Sequence, residues 1–233
     1  MYISKLWTKI NNRIEDNAIR ELEVLRETKI KIGYGNLENN RQNFEKNHKE
    51  EIANNKGYIE NQENYNDMRY GLRKFNKNGC EIIATKNAHN SLIDKDCNLP
   101  ELIQDFEKDG NALMGVFGTS PPAIDEHFKK EKFDTVSSKN EKEFDKIEKE
   151  TDTSILSYWN DKNNFFHKVH TVNLEKKDGK YYPHNVGLFS NIPYNSPSEF
   201  IEKNGGKGIY IVGINKKQKE EFNESDNSHC ILF

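Results

Sequence analysis

The segment NGCEIIATKNA, residues 78–88, decides how this chain is interpreted, because it carries the signals for the start of a buried helix. Gly79 precedes the helix, Cys80 takes its first position, and small and apolar residues follow. The first-turn N–H groups of a helix have no acceptor within it, and the helix dipole is positive at this end. Both features stabilise a thiolate, so the sequence predicts a thiol of lowered pKa at Cys80.

Further helices and then strands are predicted after this segment. Residues 99–107 indicate a second helix, and a third is expected to have Ser120 as its N-cap and Pro121 at its first helical position. Apolar and alternating stretches predict strands at 133–136, 154–159, 169–174, 180–182 and 208–214, with a turn at Asp178–Gly179. Helices followed by an antiparallel sheet indicate an α+β fold.

The N-terminal third of the chain differs in character from the rest. Residues 3–27 place apolar side chains mostly at helical spacing, which predicts one or two amphipathic helices docked on the main domain, with a membrane-binding or partner-binding helix as the alternative. Residues 36–67 are rich in Asn, Glu and Lys and predict a solvated linker or long loop. We therefore divide the chain into an N-terminal region (1–67), a main domain (68–215) and a polar tail (216–233).

Composition excludes several classes of protein. The 35 basic and 38 acidic residues nearly cancel and form no long block of one sign, so nothing favours a nucleic-acid partner. The N-terminus lacks the apolar core of a secretory signal, and no stretch is long enough to span a membrane. Three cysteines are too few for a disulfide framework, which indicates a reducing compartment such as the cytoplasm, or free thiols.

Two polar residues downstream complete a candidate catalytic group with Cys80. A nucleophilic thiol needs a general base, and the base needs a group that orients it. His170 lies on a predicted strand, and Asn185 follows 15 positions later, beyond the Asp178–Gly179 turn. A hairpin at that turn would let the side-chain oxygen of Asn185 accept the imidazole N–H, although a register slip of one residue would put His184 there instead.

Residues 78–88, His170–Thr171–Val172 and 179–182 with Asn185 together resemble the papain-like cysteine peptidases, with the closest likeness to the C39-like branch that processes bacteriocins. The resemblance covers roughly residues 68–214. It implies a papain-like α+β fold for the main domain, with Cys80 as nucleophile, His170 as general base and Asn185 as the orienting residue. Asn at the third position is more similar to papain than to the C39-like branch, which usually has Asp.

The sequence departs from the pattern of this family at the oxyanion hole. The family places a Gln about six residues before the nucleophile, where this chain has Lys74. Asn76 is the candidate replacement, and Asn78 is the second choice. Loss of one oxyanion donor typically costs about 100- to 1,000-fold in rate. A catalytically degenerate member of the fold therefore remains an alternative.

A histidine pair and a glycine-rich segment bear on metal binding and on phosphate binding, respectively. His167 and His170 are three residues apart and would face opposite sides of a strand, and no Cys or carboxylate completes a site at ligand spacing. The glycine-rich residues 115–120 lack the Lys–Ser/Thr of a phosphate loop, so they predict a turn or a wall of the substrate cleft. The sequence therefore predicts no metal site and no cofactor.

The last four residues, Cys230–Ile231–Leu232–Phe233, match the prenylation pattern, in which a terminal Phe favours geranylgeranyl transfer. The preceding tail is acidic, whereas prenylated tails usually carry basic residues. Lipidation of Cys230 and the resulting membrane association would require delivery into a eukaryotic host cell.

These features together predict a hydrolase that cleaves a peptide or amide bond through an acyl-thioester on Cys80, with a peptide or protein as substrate. Two alternatives stay open. One is a deamidase or acyl transferase that acts on a host protein as a bacterial effector. The other is a papain-fold binding module that has lost catalysis.

Overall fold

The structure is a computed structural model, and it describes residues 35–93, 97–109, 118–160, 169–187, 190, 192–204 and 206–216. Several predictions lie outside these residues: the amphipathic segment at 3–27, the first half of the glycine-rich segment at 115–120, His167 and the Cys230 tail.

Helices are more frequent in the first half of the described chain and strands in the second half. The helices are α1 (Leu37–Asn47), α2 (Lys49–Asn54), α3 (Cys80–Ile93), α4 (Leu99–Lys108), α5 (Pro122–Lys130), α6 (Phe144–Glu150) and α7 (Pro197–Lys203). The strands are β1 (Arg69–Tyr70), β2 (Arg73–Lys74), β3 (Asp134–Ser138), β4 (Thr153–Trp159), β5 (Val169–Lys177), β6 (Lys180–His184) and β7 (Lys207–Asn215). Within the described ranges, none of the helices combines the length and the apolar character needed to cross a bilayer.

Strands β3 to β7 form one antiparallel sheet in the order β3-β7-β4-β5-β6, and β1 and β2 form a separate short hairpin. Each sheet strand overlaps a segment that the sequence predicts as a strand. The α+β prediction, with an antiparallel sheet, is therefore confirmed at this level.

The sheet is covered on both faces because successive side chains of a strand point to opposite sides. On β4, Ile155 packs towards α3 and α5, whereas Leu156 packs towards α6 and α7. On β7, Val212 and Ile211 divide in the same way. This arrangement makes α3 a central helix that lies directly on β4 and β5.

The range 36–67, expected to be a solvated linker, is ordered in its described part and packs on α3 and α4. Phe44, Ile52, Ile59 and Tyr65 are buried in one cluster with side chains of both helices. The segment has few apolar residues, but they fall where the chain contacts the core. A second core therefore forms on the side of α3 that faces away from the sheet.

Asparagine side chains explain how such a polar segment packs inside the protein. Asn40 accepts from the Arg69 N–H at 2.9 Å and donates to the Arg69 carbonyl at 2.8 Å. Asn87 of α3 forms the same pair with Ile59, at 2.8 Å and 2.9 Å. Buried backbone groups need such partners. Polar residues whose abundance indicated solvent exposure therefore form hydrogen bonds with buried backbone groups instead.

The third predicted helix begins slightly later than the sequence indicates. Pro121 occupies the cap position and α5 starts at Pro122, so the assignment of Ser120 as N-cap is wrong by one residue. The main-chain carbonyl of Ser120, rather than its hydroxyl, accepts from the Ala123 N–H at 2.9 Å.

Candidate active site

Cys80 lies at the first position of α3, as the sequence predicts. The first hydrogen bond of the helix joins the Ile83 N–H to the Gly79 carbonyl at 3.0 Å. A Cβ atom at position 79 would lie 2.4 Å from the ring of Phe75, a fully buried side chain. Glycine is therefore required for the backbone to bring Cys80 to the start of the helix in this packing.

Cys80 and His170 line one cavity of about 510 Å³ between the helical part of the molecule and one end of the sheet. The same cavity is lined by Gln62, Asn76 and Asn185. Residues ninety positions apart in the chain thus share one site, because α3 lies across β5. The structure brings all three members of the predicted catalytic group, and Asn76, to this cavity.

His170 is held by the strand pairing of β4 with β5 and by one hydrogen bond. It is the cross-strand partner of Tyr158, and the two rings meet edge to face with centroids 6.0 Å apart. The Nε2 atom of His170 lies 2.7 Å from the main-chain oxygen of Asn185. A carbonyl can only accept, so Nε2 carries the hydrogen and Nδ1 carries the lone pair. Burial lowers the pKa of His170, which favours this neutral form.

Asn185 contacts His170 through its main-chain carbonyl, whereas the sequence analysis expected its side-chain oxygen. The backbone at Asn185 is left-handed, with φ of 72°, and asparagine tolerates this conformation better than most residues. The side chain faces Gln62: its oxygen accepts from the Gln62 N–H at 3.1 Å, and its nitrogen lies 3.3 Å from Gln62 Oε1. Because the hydrogen bond to His170 uses the main chain, another side chain at position 185 would leave this contact in place.

His184, the competing candidate for the orienting position, binds elsewhere. Its Nδ1 lies 2.8 Å from Glu60 Oε1 and its Nε2 lies 3.2 Å from Glu175 Oε2. The ring stacks on Tyr58 with centroids 3.7 Å apart. This buried ion pair attaches the segment before Gln62 to the end of the sheet.

Gln62 is a cavity residue that sequence reasoning missed. Besides its two contacts with Asn185, its side-chain nitrogen donates to the main-chain oxygen of Asn76 at 3.0 Å. Gln62 therefore connects the loop that holds His170 to the turn that precedes Cys80. It lies in the range regarded as linker, and its partner Asn185 is 123 positions away, so no local pattern marks it.

Asn76, rather than Asn78, faces the cavity as the candidate oxyanion donor. The Asn76 side-chain nitrogen donates to Glu63 Oε2 at 3.0 Å, and its side-chain oxygen is buried without a hydrogen-bond partner. Asn78 instead donates to the Tyr70 carbonyl at 3.2 Å. Lys74, where the family has Gln, is an exposed residue of β2.

The surroundings of Cys80 favour the protonated thiol. Its sulfur donates to Oε2 of the buried Glu81 at 3.2 Å. Burial and the adjacent carboxylate raise the pKa of the Cys80 thiol, so the predicted lowering is wrong here. Desolvation and a negative neighbour disfavour a thiolate more than the helix start favours it. Burial also raises the pKa of Glu81, to about 7.

The cavity thus holds a neutral thiol and a neutral imidazole whose lone pair is on Nδ1. Such a pair suits general-base activation of the thiol when a substrate is bound, rather than a preformed thiolate. No protein-family model, curated protein sequence or solved structure matches this chain, so its function must be inferred from the cavity itself.

Proposed function

We propose that this protein is a papain-like cysteine hydrolase that cleaves a peptide or amide bond through an acyl-thioester on Cys80. The observation that carries the proposal is the shared cavity of Cys80 and His170. The thiol lies at the start of a helix, and the imidazole is oriented by a carbonyl that fixes its tautomer. A central helix on an antiparallel sheet, with the thiol at its N-terminus, supports the papain-like assignment.

In the proposed reaction, His170 Nδ1 removes the thiol proton as the sulfur of Cys80 attacks the substrate carbonyl. The resulting imidazolium is stabilised by the Asn185 carbonyl, which accepts from Nε2–H. The Cys80 N–H, at the open first turn of α3, is placed to donate to the oxyanion. Collapse of the tetrahedral intermediate breaks the C–N bond, and the imidazolium returns its proton to the leaving amine.

Hydrolysis of the acyl-thioester then regenerates the enzyme. His170 removes a proton from water, the hydroxide attacks the thioester carbonyl, and the C–S bond breaks as the sulfur is reprotonated. Both halves of the reaction use the same base, which is the general logic of thiol hydrolases.

The Glu81 contact indicates that the thiol must leave its resting partner before it reacts. While Cys80 donates to Glu81, its proton is directed at a carboxylate rather than at His170. Substrate binding or protonation of Glu81 would release the thiol. The same contact, together with the engaged Asn76 amide, favours the catalytically degenerate binding module as the second candidate function.

Alkylation by iodoacetamide, with each cysteine quantified by peptide mass spectrometry, tests the proposal. Cys80 is buried and Cys97 is only partly buried, so exposure alone predicts faster labelling of Cys97. We expect His170 to assist the reaction as a base, so that Cys80 is labelled more slowly in His170→Asn while the labelling rate of Cys97 is unchanged. A labelling rate of Cys80 that is indifferent to His170 would favour the binding module.

Mass spectrometry of proteins incubated with the enzyme separates the reaction classes. A hydrolase of peptide bonds gives cut chains, a deamidase gives an increase of about 1 Da, and an acyl transferase gives an adduct. Cys80→Ala is the matched control, because it removes the nucleophile and keeps a helix-forming residue at that position.

A further inference from the structure

We propose that His89, His127 and Glu131 bind a divalent transition-metal ion, of which zinc is the best fit, at a site separate from the Cys80 cavity. His89 is on α3, His127 is on α5, and Glu131 directly follows α5. One ligand atom of each residue lies within 4.8 Å of the others. His89 is nine positions after Cys80, roughly 13 Å further along the same helix.

The separations between the ligand groups are close to those of a tetrahedral metal centre. The two Nε2 atoms are 3.1 Å apart; His89 Nε2 lies 3.4 Å from Oε2 of Glu131, and His127 Nε2 lies 3.5 Å from the other carboxylate oxygen, Oε1. Zinc binds nitrogen and oxygen at about 2.0–2.1 Å, and tetrahedral geometry then places ligand atoms about 3.3–3.4 Å apart. The two nitrogens and the carboxylate are therefore spaced closely enough for one ion to bind all three groups.

The chemistry of the donors agrees with this geometry. Imidazole nitrogen and carboxylate oxygen are zinc ligands, and a set of two histidines and one glutamate leaves a fourth position for water. The carboxylate contacts, at 3.4 Å and 3.5 Å, are longer than ordinary N–H···O hydrogen bonds, whereas each donor atom would lie about 2.0–2.1 Å from a zinc ion bound between the three groups.

Aromatic packing fixes the orientation of the two imidazoles. The His89 ring lies 4.8 Å from the Phe128 ring, and the His127 ring lies 5.1 Å from the Phe106 ring, measured between centroids. Both histidines are buried, whereas Glu131 is 42% exposed and lies at the surface. The site therefore has two rigid ligands and an opening to solvent through which an ion can reach it.

A metal ion here would join α3 to the end of α5. The helix that begins with Cys80 would then be held at its far end as well as by the sheet. Because the three ligands come together only in the folded chain, the ion is expected to raise the stability of the fold. The assignment does not depend on the reaction proposed for Cys80, since the two sites share no residue.

Metal titration of the full-length chain, purified with a chelator and then dialysed, tests this site. A parent variant in which Cys80, Cys97 and Cys230 are replaced by Ser removes thiols that would bind zinc adventitiously. We expect one Zn²⁺ per chain by calorimetry, a rise in Tm on zinc addition, and a Co²⁺ absorption spectrum of the tetrahedral type without a sulfur charge-transfer band.

Two substitutions in the parent variant locate the ion. Glu131→Gln alters an exposed side chain and should lower zinc affinity at least about 10-fold with unchanged circular dichroism. His127→Gln should abolish the tetrahedral Co²⁺ spectrum. The matched control is His48→Gln, which removes a buried histidine that pairs with Asp67 and should leave the binding intact. Absence of stoichiometric binding, or binding that survives both substitutions, would overturn the site.

Discussion

Replacement of Glu81 with glutamine is expected to lower the pKa of the Cys80 thiol and to speed its alkylation, increasingly so as the pH rises. The carboxylate oxygen of Glu81 lies 3.2 Å from the sulfur of Cys80. At an effective dielectric constant of about 20, two unit charges at this separation repel by about 5 kcal/mol. The thiolate and the Glu81 carboxylate therefore hardly coexist, and the thiol ionises mainly in molecules where Glu81 is protonated.

The size of the effect follows from the titration of Glu81. Its pKa is raised to about 7, so the fraction of protonated Glu81 falls from one half at pH 7 to about one tenth at pH 8. Glutamine at position 81 keeps the shape and is neutral at every pH. The ratio of labelling rates, Glu81→Gln over the unsubstituted protein, should thus rise from about 2 at pH 7 to about 10 at pH 8.

The assay is the rate of iodoacetamide labelling of Cys80 measured between pH 6 and pH 8.5. Glu63→Gln is the matched control, because Glu63 also lines the cavity but bonds to Asn76 and Lys77 rather than to the thiol. Its ratio should stay close to one. A Glu81→Gln ratio below one would mean that the carboxylate activates the thiol as its base, and a ratio that does not change with pH would refute the assigned pKa.

Three further predictions concern stability. His184→Gln should lower the free energy of unfolding by about 2–3 kcal/mol in urea titrations, since it leaves the partly buried Glu60 and Glu175 without their cation. Wild-type stability should depend on pH through the same network. The pKa of His184 is raised, so its contribution to stability is lost as the pH rises through that raised value. The pKa values of Glu60 and Glu175 are lowered, so their contribution is lost as the pH falls through those lowered values. The difference in unfolding free energy between wild type and His184→Gln should therefore be largest between about pH 4.5 and pH 6.5. A difference that does not change with pH would contradict this prediction. Gly79→Ala should cost about 1–3 kcal/mol, because its Cβ would meet the Phe75 ring at 2.4 Å, and thermal unfolding indistinguishable from wild type would show that the packing at this turn is looser.

Local patterns determined the elements of this protein. The small and apolar residues after Gly79 are enough to begin a helix at Cys80, because helix initiation depends on neighbours within a few positions. Alternation likewise located β5, since side-chain direction in a strand repeats every two residues, and short apolar runs located β4 and β7. The α+β class follows from the order of these elements.

Only the tertiary structure decided what surrounds each functional group. The pKa of Cys80 depends on burial and on the direction of the Glu81 side chain, neither of which the order of residues specifies. Gln62 reaches the cavity because distant polar residues satisfy each other inside the protein, in a segment whose composition indicates solvent. His89 and His127 are 38 positions apart and meet only because α3 and α5 cover the same face of the sheet. Local sequence fixes backbone conformation, whereas desolvation and long-range contacts arise only when the elements pack together.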